Sequence, residues 1–115
     1  MKSTRVALLC FLVALVPLNA AVAGGLAQGY ITQIIPLSNG LFTFVFSGTP
    51  AGAPACATFA NHWAVDVSTP SGQAIASSAI TAFSAGYPMY VSGTGTCAAN
   101  QSNTELVNYL AISKN

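Results

Sequence analysis

A five-stranded Greek-key barrel with one helix, in the β-β-β-α-β-β order of the OB-fold, is the fold class this sequence predicts. Three observations carry that expectation. Short runs rich in β-branched and aromatic residues recur between breaks made of Gly, Pro, Ser and Asn. One helix-capping signature stands between the third and fourth of these runs. Two cysteines, Cys56 and Cys97, bracket that helix. A small β-sandwich would share the strands but would not include the helix.

The first strand is predicted over 29–36, GYITQIIP, and Ser38-Asn39-Gly40 then turns the chain into a hairpin. Its partner, LFTFVFS at 41–47, puts Phe42, Phe44 and Phe46 on one face and Leu41, Thr43 and Val45 on the other. GTPAGAPA at 48–55 reads as a loop. In the third strand, 63–68, Trp63, Val65 and Val67 alternate with Ala64, Asp66 and Ser68. Thr69 is an N-cap residue and Pro70 suits the first helical position, where a missing N–H costs nothing. Ile75, Ala76, Ala79, Ile80 and Phe83 are expected to face the core, with Ser77, Ser78, Thr81 and Ser84 largely outside. Gly86 caps the helix and Pro88 prevents its continuation. The fourth strand is predicted over 89–92 and the fifth over 104–113, with SGTGTCAAN (92–100) as the turn between them. There are no internal repeats and no linker.

Ahead of this domain, Lys2 and Arg5 precede an apolar run at 6–16, and Ala21-Val22-Ala23 gives a small-x-small cleavage pattern. That is the layout of a secretory signal peptide over 1–23. The remaining 24–115 form a single domain that is secreted or periplasmic. The apolar run is shorter than the about 20 residues that cross a bilayer, and no second run follows, so the mature chain has no membrane span. Beyond residue 23 only Asp66, Glu105 and Lys114 carry formal charge, a net of −1 with His62 neutral. One lysine and no arginine cannot displace the counterions of a phosphate backbone, which excludes nucleic acid as a partner. So little charge also puts little electrostatic penalty on self-association.

Cys10 lies within the leader, which leaves Cys56 and Cys97 as an even pair in an oxidising compartment, the situation that favours a disulfide. Two cysteines with His62 as the nearest further ligand make an incomplete zinc set, so no metal is expected. The Gly93, Gly95 and Ala98 spacing imitates a dinucleotide loop. It fails on context, because no helix or acidic ribose ligand follows. No cofactor is expected.

His62 with Asp66 or Glu105 is the one acid-base set available. On an extended strand His62 and Asp66 stand roughly 13 Å apart, beyond hydrogen-bond reach. No G-x-S-x-G elbow is present. The chain therefore reads as a non-enzyme, with a small exported enzyme built on His62 and an inert structural envelope protein as the alternatives. The better ligand-binding candidates are Tyr30, Tyr87, Tyr90 and Tyr109, whose flat faces and hydroxyls suit stacking on sugar rings or anchoring an interface.

In order and spacing, GYITQI, a Cys shortly before HWAVDVSTPSGQA, AFSAGYP, YVSGTGTC and ELVNYLAIS resemble the B-subunit family of subtilase cytotoxin and its small exported bacterial relatives, over about residues 28–113. The resemblance implies an OB-fold with a Cys56–Cys97 disulfide and, from the toxin itself, a homopentameric ring that binds sialylated glycans. The chain is accordingly expected to be a binding module, as a homo-oligomer, for a glycan or a protein partner. The sugar-contacting serine before the family's first strand has no counterpart here, where Ala27 and Gln28 stand, so that sugar site is not carried over.

Overall fold

A computed structural model describes residues 24–114; the leader predicted over 1–23 lies outside the described residues. Six strands and one helix follow in the order β1 (Leu26–Gly29), β2 (Ile31–Pro36), β3 (Leu41–Phe46), β4 (His62–Asp66), α1 (Pro70–Ala85), β5 (Met89–Ala98) and β6 (Gln101–Ile112). They form one sheet, β1-β5-β6-β4-β3-β2, antiparallel throughout except for the parallel β4–β6 pair. The order is open. Its two end strands are nonetheless consecutive in the chain, separated by Tyr30 alone.

The count of six rather than five arises at Gly29. The stretch expected as one strand is divided there, because Gly29 adopts φ 154°, which L side chains rarely reach. Space is also closed to them, since a Cβ at Gly29 would lie 2.9 Å from the Gly48 nitrogen. Tyr30 N–H donates to Ser47 Oγ (2.8 Å) and Ser47 N–H to the Tyr30 carbonyl (2.9 Å), so the joint is pinned to the far end of β3. On either side of it the chain changes partner, from β5 to β3.

The β2–β3 hairpin forms as expected. Leu41 N–H donates to Asn39 Oδ1 (3.2 Å), and Gly40 supplies a left-handed φ of 88° that a side chain would oppose. The helix also starts where its cap predicts: Thr69 Oγ1 accepts from Gly72 N–H at 3.0 Å. It ends at Gly86, whose φ is 70°.

Two expectations are corrected. The buried stripe of α1 is Gly72, Ala76, Ala79 and Ala82, flanked by half-buried Ile75, whereas Ile80 and Phe83 lie 43% and 39% exposed. Small residues let the helix axis approach the sheet closely, and its larger apolar residues then fall outside the contact. The glycine segment 92–98 is not a turn but the second half of β5, whose register against β6 shifts between Ser92 and Gly93 and again before Cys97 and Ala98. The turn proper is Ala99-Asn100.

Between helix and sheet sits the core: Phe42, Phe44, Phe46, Trp63, Val65, Met89, Val91 and Val107 against the alanines of α1. Leu41, Ala64 and Ala98 make a smaller cluster on the other face. At the opposite end from the hairpin, the loop 48–61 folds back over the sheet. It is tied by paired backbone hydrogen bonds between Leu26 and Ala51 (2.8 and 2.9 Å) and by the Cys56–Cys97 disulfide, with Cα atoms 6.3 Å apart.

Candidate functional site

Glu105 is the inward-facing residue that β6 brings to this end of the sheet. The same alternation that buries Val107 turns Glu105 inward, where it is 2% exposed. Parallel pairing sets it opposite Trp63 of β4, and antiparallel pairing sets it opposite Cys97 of β5. A buried carboxylate must find hydrogen-bond donors, and here they are backbone amides. Gly25 N–H donates to Oε2 (3.0 Å) and Oε1 (3.2 Å), and Gly95 N–H donates to Oε2 (2.9 Å). Only glycine fits around it. A Cβ on Gly25 would lie 2.8 Å from Oε1, and one on Gly93 would overlap the carboxylate.

Beside the carboxylate, under the 48–61 loop, lies a cavity of about 180 Å³ walled by Thr49, Pro50, Phe59, His62, Trp63 and Glu105. Trp63 is 1% exposed, and its indole N–H has no acceptor among the described residues. A buried donor left unmatched costs about 1–3 kcal/mol. At the rim, the Phe59 and His62 rings stack with centroids 3.6 Å apart and planes 10° from parallel, and Phe59 is 43% exposed. His62 Nδ1–H donates to the Ala60 carbonyl at 2.8 Å, which fixes the ring on that platform.

His62 and Glu105 thus wall the same cavity, while Asp66 stands at the other end of β4. Asp66 is spent locally: its Oδ1 accepts from Ser68 Oγ (2.6 Å) and Ser68 N–H (2.9 Å), and these bonds hold its carboxyl below the usual value of 3.8.

Two of the four tyrosines come together. Tyr90 and Tyr109 pack on the outer face of β5 and β6 with ring centroids 6.3 Å apart, beside exposed Gln28 and Leu26 of β1. Tyr30, 47% exposed, marks the β1–β2 joint, and Tyr87 packs half-buried against the core. Among the described residues, no cluster of three or more His, Cys, Asp or Glu could hold a metal ion, and no helix is long and apolar enough to cross a membrane.

Neither Glu105 as a cavity wall nor Phe59 as a platform emerged from the sequence. The signal for the first was present: a lone carboxylate in the inward phase of a strand, facing a segment in which Gly93 and Gly95 alternate with threonines. Comparison with protein-family models, curated proteins and solved structures finds no match.

Proposed function

We propose that this chain is an exported, non-enzymatic binding module of OB-fold type, resembling a toxin B subunit, and that it takes a glycan in the cavity beneath the 48–61 loop. In this reading β1 and β2 act as one bent strand, closing a five-stranded Greek-key barrel. The observation that carries the ligand assignment is one small cavity lined both by Trp63, whose buried indole N–H is unmatched among the described residues, and by the Glu105 carboxylate. A sugar hydroxyl satisfies both, since each is donor and acceptor at once. The exposed Phe59 ring at the rim offers the flat apolar surface on which the C–H face of a pyranose stacks.

Trp63 is the sole tryptophan, so its fluorescence reads the cavity directly. A glycan array on the oxidised protein should give defined hits that shift Trp63 emission on titration. Phe59→Ala should weaken those hits by about tenfold, the upper end of what an aromatic contact contributes. A blank array, or hits that leave Trp63 emission unmoved, would remove this reading.

A protein partner is the second reading, in which a homopentamer is one form. It is favoured by the apolar residues left outside: Ile80 and Phe83 on α1, and Leu26 with Tyr109 on the sheet. Sedimentation of the oxidised protein as a strict monomer would set the pentamer aside.

A further inference from the structure

Glu105 is a buried carboxylate without a cation. Lys114 is the only lysine or arginine among the described residues, and seven residues of β6 alone, about 23 Å, separate Glu105 from the strand end that precedes it. A buried charge held only by dipoles is costly, and a nearby positive group relieves that cost. Among the described residues none stands at this place, and a free α-amino group at Gly24 would supply one.

Gly93 N–H donates to the Gly25 carbonyl at 2.8 Å, so the sheet pairing of β1 runs on to Gly25 and delivers Gly24 to the carboxylate. A Cβ on Gly24 would lie 2.7 Å from Glu105 Oε2. The Gly24 nitrogen, bonded to the same Cα, is therefore within about 5 Å of that oxygen. Opposite charges at such a separation favour one another strongly when they are screened from water.

We propose that hydrolysis of the Ala23–Gly24 peptide bond is the last step of folding. A signal peptidase adds water across the bond, and Ala23 leaves as a carboxylate. The freed Gly24 amine, protonated from solvent, docks on Glu105 as an α-ammonium and locks β1 into the sheet. The inference rests on the Ala21-Val22-Ala23 cleavage pattern; it shares Glu105 with the proposed glycan cavity, so its tests are made without ligand. It explains why glycine occupies 24, 25 and 93 together. A Cβ on Gly24 would overlap the Gly93 carbonyl, and one on Gly25 or Gly93 would crowd the carboxylate, so a side chain at any of the three would close the approach. It also makes the loop 48–61, bonded to β1 at Leu26, dependent on the processed end.

The exported protein is first weighed by mass spectrometry, and a start at Gly24 is expected; a start elsewhere overturns the proposal. Thermal melts are then compared in a four-way cycle. The natural processed chain is set against one with a single Ala inserted before Gly24, its start at that Ala verified by mass, which moves the amine one residue outward. Each of the two is made with Glu105 and with Glu105→Gln. The natural chain should melt about 4 °C or more above the inserted one, and the gap should vanish in the Glu105→Gln pair. An equal gap in both pairs, or none with Glu105, overturns the ion pair. Should Glu105→Gln fail to fold, a crystal structure of the processed chain decides. A Gly24 nitrogen within about 4 Å of a Glu105 oxygen sustains the proposal, and any longer separation ends it.

Discussion

The two ends of this sheet are held by different physics. Under α1 the contact is apolar and dense: Phe44 and Ala79 are fully buried, and Trp63 alone reaches from that cluster into the cavity wall. Around Glu105 the contact is made of glycines, backbone amides, a disulfide and a carboxylate, with a cavity beside it. The first region obeys the rule that burial of apolar area drives folding. The second spends stability on a buried polar group and an unmatched donor, which is where function is expected to reside. If that division is right, substitutions in the two regions should separate stability from binding.

The largest effect should come from the helix side. Phe44→Ala removes a wholly buried ring, and large-to-small changes of this kind cost about 3–5 kcal/mol. Urea melts should show a large fall in midpoint. Phe59→Ala, at an exposed ring of the cavity rim, should leave the midpoint nearly unchanged while weakening the proposed glycan binding. Equal destabilisation by the two would erase the distinction between the regions.

Next in size is the disulfide. It closes a span of 41 residues, for which the chain-entropy relation gives up to about 4 kcal/mol. Replacing both cysteines with serine should lower the unfolding free energy by about 2–4 kcal/mol. It should also free the 48–61 loop, raising amide exchange at Ala51 and Ala57 before exchange rises in β3. Uniform acceleration across the sheet would mean that the bridge supports the whole domain rather than the cavity end.

Legibility in the sequence divides along the same line. The helix, its Thr69 and Gly86 caps, the β2–β3 hairpin and the pairing of Cys56 with Cys97 were readable, because each depends on local chemistry or a simple count. The inward side of α1 was misjudged at Ile80 and Phe83, since periodicity ranks residues by hydrophobicity and cannot sense how closely a stripe of alanines lets the helix approach. The segment 92–98 was misread as a turn, because its glycines look like breaks, whereas Gly93 leaves room for the carboxylate twelve residues further on and Gly95 donates its N–H to it. Long-range demands of that kind leave composition as their only trace, and composition alone does not say what the space is for.

The smallest effect belongs to Asp66, and it tests whether the carboxylate outside both regions is only a local clasp. Hydrogen bonds from Ser68 Oγ, and then from Ser68 N–H, lower its pKa in the folded protein below the usual 3.8. A carboxyl with a depressed folded pKa stabilises the protein above its unfolded pKa, and that contribution disappears as pH falls through the folded value. Asp66→Asn keeps an oxygen that can accept from Ser68 but removes the charge. The natural chain should therefore melt slightly above Asp66→Asn at pH 7, and the two should converge as the pH drops below the ordinary aspartate range. Asp66 is fully solvated, so salt should shrink the gap. Melts from pH 7 to 2.5 at two ionic strengths measure both trends. A gap that widened toward low pH would show that the Asp66 charge opposes folding, and the Ser68 bonds would then be a consequence of the turn rather than a support for it.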